Sequence, residues 1–193
     1  MKKKILYIFL LFFFFPINKV FSIDNKLLKN IENYLNELNN ISSEFVQSTS
    51  SGTQDTGKIL ISKPGKLRIE YKGKNKLLIV ADGKWLHYFD IELNEVQSLT
   101  IKKSPAWILL KKNIDLKNDF NINKLEKKKG KIILSIIEKN IENVNKINLI
   151  FSVNPIQLKK WSIIDHQNNE TTVALLNIKK IKKFNPKVFE LIY

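Results

Sequence analysis

The sequence predicts a mainly β chain with one long helix, folded as a curling antiparallel meander of about eleven strands. Three observations carry that expectation. From Asp24 to Asn40, the residues Leu27, Leu28, Ile31, Tyr34, Leu35, Leu38 and Ile41 recur at the i, i+3/i+4, i+7 spacing of an amphipathic helix. Lys66-Leu67-Arg68-Ile69-Glu70-Tyr71-Lys72 alternates without a fault, as a strand does when one face is dry and the other wet. Asp82-Gly83 lies between two apolar runs, and a two-residue Asp-Gly loop is a strong short-range hairpin signal.

The chain opens with Met1-Lys2-Lys3-Lys4, followed by eleven apolar residues from Ile5 to Phe15 and small-residue spacing at Val20-Phe21-Ser22. This is the pattern of a cleaved secretory signal peptide over residues 1–22. Eleven apolar residues are too few for a membrane span, which needs about 20. The expected product is an exported soluble chain over residues 23–193, short enough for a single domain. The sequence has no cysteine, so neither a disulfide nor an acylated N-terminal thiol is available.

Asp24 is placed to cap the helix. Beyond it, strands are expected at Glu44 to Ser50, Gly57 to Lys63, Lys66 to Lys72, Leu77 to Ala81, Lys84 to Asp90 and Glu95 to Ile101. A second series covers Asp119 to Leu125, Lys131 to Glu138, Lys146 to Val153, Ile156 to Asp165, Thr171 to Ile178 and Val188 to Tyr193. Turn-sized gaps such as Lys128-Lys129-Gly130 and Asn154-Pro155 join most neighbours, which favours hairpins. Between the two series, Ser104-Pro105-Ala106-Trp107-Ile108-Leu109-Leu110 has Ser at a possible N-cap and Pro at the first helical position. It reads as a short apolar helix that must lie against the sheet, as a plug or as a movable lid.

Strand parity assigns faces. A two-residue Asp82-Gly83 loop pairs Ala81 with Lys84 and Val80 with Trp85, and an even-length turn near Gly73 brings the preceding strand into phase. The expected inward face therefore carries Leu67, Ile69, Tyr71, Leu78, Val80, Trp85 and Phe89, with Lys66, Arg68 and Glu70 pointing out.

The formal net charge is +15, from 33 basic against 18 acidic side chains, and Arg68 is the only arginine. Nucleic-acid readers favour arginine, whose planar fork binds phosphate and guanine bidentately, so a lysine excess in an Asn- and Ile-rich chain reads as compositional. No nucleic-acid partner is expected. Catalytic constellations are sparse: His87 and His166 are the two histidines, and no serine sits in a Gly-x-Ser-x-Gly elbow. No metal, cofactor or catalytic residue is assigned. The residues favour binding without turnover.

Phe45-Val46-Gln47, Thr56-Gly57-Lys58-Ile59, Lys63-Pro64-Gly65 through Tyr71, Leu78-Ile79-Val80-Ala81-Asp82-Gly83 and Pro155 through Trp161 to Asp165 form a running pattern. In it the chain resembles the periplasmic outer-membrane lipoprotein carrier (LolA) family. The resemblance implies an incomplete, strongly curved antiparallel β-barrel covered by an N-terminal helix and short lid helices, with an apolar cavity between sheet and lid. It further implies a periplasmic, monomeric, non-enzymatic carrier that takes the acyl chains of lipoproteins from an inner-membrane releasing transporter to an outer-membrane acceptor. That inward face would line the cavity, Trp107, Ile108, Leu109 and Leu110 would form the lid, and Lys63, where the family usually has Arg, would tune the rim. A carrier of another lipid in the same cavity, such as a glycolipid or hopanoid-like molecule, and a structural envelope module with a filled core are the alternatives.

Overall fold

A computed structural model describes residues 24–73, 76–137 and 144–191. The predicted leader over residues 1–22 lies outside the described residues. Helix α1 spans Asn25–Glu37, and the Asp24 carboxylate accepts the Leu27 amide at 2.9 Å as its N-cap. The helix stops three residues short of the expected Asn40, because Asn40 already opens strand β1 (Asn40–Thr49).

Ten further strands follow: β2 (Gln54–Ser62), β3 (Lys66–Lys72), β4 (Leu77–Asp82), β5 (Trp85–Asp90), β6 (Glu95–Thr100), β7 (Asn121–Lys128), β8 (Lys131–Ile137), β9 (Val144–Val153), β10 (Ile156–Asp165) and β11 (Glu170–Lys180). All are antiparallel in one sheet of order β6-β5-β4-β3-β2-β1-β11-β10-β9-β8-β7, which is not closed into a barrel. Of the strand expected at Val188 to Tyr193, residues 192–193 lie outside the described residues, and 188–191 form no strand. Asn185 caps a short 3₁₀ helix at Pro186–Phe189 instead, and Pro186 at its start lacks the N–H that a ladder requires.

The open order dictates where the cover must lie. Strands β6 and β7 follow one another in the chain but occupy opposite edges of the sheet, so residues 101–120 have to cross the opening between them. That crossing contains a 3₁₀ turn at Ile101–Lys103, helix α2 at Trp107–Leu110 and helix α3 at Leu116–Asp119. Its second half is tied to α1. Asn36 exchanges hydrogen bonds with Ile114 at 3.0 and 2.8 Å, and the Leu116 amide donates to Glu32 at 2.9 Å. Lys111 pairs with Asp119, and the Gly65 amide donates to the Leu110 carbonyl at 2.9 Å.

One large core fills the space between the sheet's inner face, α1 and the crossing. A registered row of Leu125, Leu134, Leu149, Trp161, Val173 and Gln47 runs across six strands of that face. The next row, Ser135, Asn148, Ser162, Thr172 and Ser48, lies on the outer face, where Asn148 bridges Ser135 at 2.7 Å and Ser162 at 3.0 Å. This period of two, apolar inward and polar outward, is what makes the sheet bury one side.

Candidate functional site

The β3–β4 turn decides which residues meet inside. Leu67 pairs with Ala81, Ile69 with Ile79 and Glu70 with Leu78, so an odd number of residues separates every pair of partners. An odd loop reverses the expected phase. Leu67, Ile69 and Tyr71 share the inner face with Ile79 and Ala81, whereas Leu78, Val80, Phe89 and Trp85 belong to the outer face with Arg68. The β4–β5 loop also differs, closing on Gly83-Lys84 with Ala81 opposite Leu86, a slip of two residues that leaves parity unchanged.

Leu78, Val80 and Phe89 are nonetheless buried, in a second apolar cluster on the outer face. Val96 and Leu191 pack against it, and the C-terminal stretch holding Val188 and the buried Phe189 lies over this part of the sheet. Arg68 fastens that stretch by donating to the Val188 carbonyl at 3.3 Å while pairing with Glu70 at 2.6 Å. Trp85 stays 39% exposed. The covering element that the two-sided apolar pattern of β4 and β5 demands is thus the chain's own C-terminal segment.

Inside, a cavity of about 250 Å³ separates the inner face from the crossing. One wall is Ile59, Ile61, Leu67, Ile69, Tyr71, Ile79, Leu86 and Tyr88; the facing wall is Ile147, Leu149, Trp161, Ile163 and Val173; Ala106, Ile108, Leu109 and Leu110 form the roof. Three of the expected cavity residues, Leu67, Ile69 and Tyr71, line it, and four do not. Sequence parity missed Ile79, Leu86 and Tyr88 for the reason just given. Trp161 and Ile163 line the cavity too, and their alternation along β10 is the sequence signal that marks them as an inward pair.

The roof agrees in place with the short helix expected from Ser104. The Ser104 hydroxyl accepts the Ala106 amide at 3.2 Å and its carbonyl accepts the Trp107 amide at 3.0 Å. Ile108 and Leu110 are buried, while Trp107 and Leu109 are half-buried; Trp107 packs on the core beside the cavity and is not part of its lining.

Polar groups in the cavity are few, and the Tyr71, Gln47, Tyr88 and Ser104 side chains are hydrogen-bonded within the protein. The Tyr71 hydroxyl donates to Gln47 at 2.9 Å, and burial pushes it up to about 12. Tyr88 hydrogen-bonds Ser104, and burial raises it too. The Tyr71 ring stands edge-on to Phe45 with centroids 5.3 Å apart, and the Phe45 ring lies over Gly57, opposite it in β2. A Cβ at Gly57 would sit 2.6 Å from that ring, so the glycine is the slot that lets the aromatic pair form.

Lys63 directly follows β2 and is not part of the cavity lining. Its ammonium donates to the Leu35 carbonyl at 2.6 Å, and burial pulls it down to about 8. Leu109 of the roof and Leu35 and Leu38 of α1 border a small void beside it. His87 bonds Ser98 at 2.7 Å on the outer face, and His166 is exposed in the β10–β11 turn. Among the described residues no group of three His, Cys, Asp or Glu could hold a metal, and no helix is long and apolar enough to cross a membrane.

The architecture is an open antiparallel half-barrel whose opening is crossed by its own segment, with an apolar space beneath. Residues 36–192 match the family model described as outer membrane lipoprotein carrier protein LolA, and the chain belongs to that family. It is 28% identical over 170 residues to the outer-membrane lipoprotein carrier protein of Legionella pneumophila (strain Corby), covering 83% of this chain and 82% of that one. It is 26% identical over 188 residues to an uncharacterized protein of Rickettsia prowazekii (strain Madrid E), covering 97% and 87%. The fold is shared with a LolA superfamily protein of Nitrosomonas europaea, at TM-score 0.51 and 9% identity over 84% of this chain and 97% of that one. It is shared too with a putative outer membrane lipoprotein-sorting protein domain of Vibrio parahaemolyticus, at TM-score 0.50 and 11% identity over 85% and 94%.

Proposed function

We propose that this protein is a periplasmic carrier that shields the acyl chains of lipoproteins and moves them from the inner to the outer membrane. Membership of the LolA family supports the lipoprotein cargo, and one observation carries the binding mode: the cavity between the inner face and the roof, lined almost entirely by apolar side chains. On this reading residues 1–22 are a cleaved leader and residues 23–193 act as a single unit. An inner-membrane releasing transporter and an outer-membrane acceptor are its partners.

Burial drives loading. At about 0.8 kcal/mol per methylene, one long acyl chain gains on the order of 10 kcal/mol before the costs of opening. Release requires that these gains be opposed, and a roof that must move supplies the opposing term. The tethers of residues 110–119 to α1 and to the β2–β3 turn support a reading in which Ser104 to Leu109 is the stretch that lifts. Ile69, Leu67 and Tyr71 contact the chain, Ile108, Leu109 and Leu110 close over it with Trp107 alongside, and Lys63 holds the rim.

The test is mass spectrometry of lipids released from protein recovered from the periplasm, followed by loading with a triacylated lipopeptide and transfer to outer-membrane vesicles. Acylated peptides are the expected cargo. Recovery of a glycolipid or hopanoid with no lipopeptide uptake would replace the cargo, and an interior that excludes every acyl probe would reject the carrier reading.

A further inference from the structure

The antiparallel register divides the strand ends into two rims, and among the described residues charge is unequally shared between them. At the rim carrying the β4–β5, β7–β8 and β9–β10 turns and the end of β11, Lys84, Lys128, Lys129, Lys131, Lys180 and Lys182 are all exposed. The acids at this rim are few. Asp82 is occupied by the Lys84 and Trp85 amides at 2.8 Å, Glu126 pairs with Lys124 at 2.6 Å, and Glu37 stands at the end of α1. The opposite rim carries Asp90, Glu92, Glu95, Asp165 and Glu170 around Lys72, Lys76 and Lys146. Compositional bias alone would load both rims with lysine.

The basic rim also holds the exposed ring of Trp85, with the Lys84 ammonium 5.9 Å from its centroid. An exposed indole beside ammonium groups is the pairing that lipid interfaces favour, since the ring has an apolar body and a polar edge. The exposed Ile91 and Leu93 belong to the other rim, where Asp90, Glu92 and Glu95 surround them and an anionic surface would repel them.

We infer that the lysine-bearing rim, with Trp85 at its edge, docks on an anionic phospholipid surface. Lysine suits this partner: a strongly hydrated point charge needs no fixed geometry from a fluid layer of phosphates, whereas a folded acidic protein rewards arginine's planar fork. Docking by this end leaves the Tyr71 and Gln47 end of the cavity facing away from the bilayer.

The test is co-sedimentation of the exported protein with phosphatidylcholine vesicles that contain or lack phosphatidylglycerol. Binding is expected only to the anionic vesicles and should weaken as salt is raised. Replacing Lys128, Lys129 and Lys131 by Gln should weaken it by about fivefold per lysine, on the order of a hundredfold together. A variant keeping Trp85 as its single tryptophan should shift its emission to the blue on docking. Lys180→Gln with Lys182→Gln gives a second reading should the triple variant fold poorly. Ile69→Glu, which blocks acyl uptake, should bind vesicles like the wild type; this arm separates docking from cargo loading. Equal binding to neutral vesicles, insensitivity to all the lysine changes, or binding to immobilised polyglutamate without vesicle binding would overturn the inference.

Discussion

The Lys63 ammonium donates a hydrogen bond to the Leu35 carbonyl, 2.6 Å away, and so joins the end of β2 to the last turn of helix α1. The carbonyls of a helix's last turn carry partial negative charge, and the Leu35 oxygen, which also accepts the Leu38 amide at 3.3 Å, has a second lone pair for the cation. Lys63→Leu is expected to load lipopeptide as the wild type does but to transfer it at least several-fold more slowly, because the tie that restores the closed arrangement is lost while apolar affinity remains. Lys63→Arg should keep transfer. Equal transfer rates for the wild type and Lys63→Leu would leave the residue a structural cap only.

The same residue predicts a pH dependence. Its ordinary value is 10.5, and burial lowers it to about 8 in the folded chain. Between about pH 8 and 10.5 the unfolded chain holds a proton that the folded chain has released, so this group makes stability rise with pH across that window. Below about pH 8 both states are protonated and its contribution is constant. Urea unfolding of wild type and Lys63→Met from pH 7 to 10 should show the wild type gaining on the variant; a constant difference would contradict the assigned shift.

Ile69→Glu places a carboxylate among Ile59, Ile79 and the roof, where nothing can pair with it, and should abolish lipopeptide uptake. Arg68→Glu lies on the outer face and should leave uptake nearly intact, at the cost of loosening the C-terminal segment from Val188. Uptake assays on the two folded variants decide it: greater damage from the Arg68 change would reject the face assignment.

The two inner tryptophans separate wall from roof. Trp161 lines the cavity and Trp107 packs beside it on the roof. In a variant retaining only Trp161, emission should shift on saturation with a triacylated lipopeptide. In one retaining only Trp107, a shift reports motion of the roof, and an unchanged spectrum at a concentration that saturates Trp161 would remove the lid role.

Gly57→Ala tests the aromatic slot. The new methyl would meet the Glu70 carbonyl oxygen at 2.2 Å and the Phe45 ring at 2.6 Å, a clash with backbone that no rotamer relieves. Destabilisation of about 3 kcal/mol is expected in urea denaturation. A loss below about 1 kcal/mol would mean that the Phe45–Tyr71 pair can shift without cost.

Much of this architecture was legible in the order of residues. Helix α1 is marked by the 3.6 spacing of its leucines and by Asp24, the strands by period two, and the short roof helix by Ser104-Pro105, because each is a local pattern with a local cause. The Phe45, Gly57 and Lys63 to Tyr71 segments pointed to the right family.

Faces and edges belong to tertiary structure. An odd rather than even separation between the paired residues of β3 and β4 exchanged Leu78 and Val80 for Ile79 and Ala81 on the inner face, since parity in a sheet accumulates across turns and a loop's length is not encoded by composition. The second apolar face of β4 and β5 found its cover from Phe189 and Leu191, some hundred residues away in sequence, a pairing that no local period can announce. The roof's position likewise follows from the sheet order: only because β6 and β7 end at opposite edges must residues 101–120 close the opening and enclose a cavity.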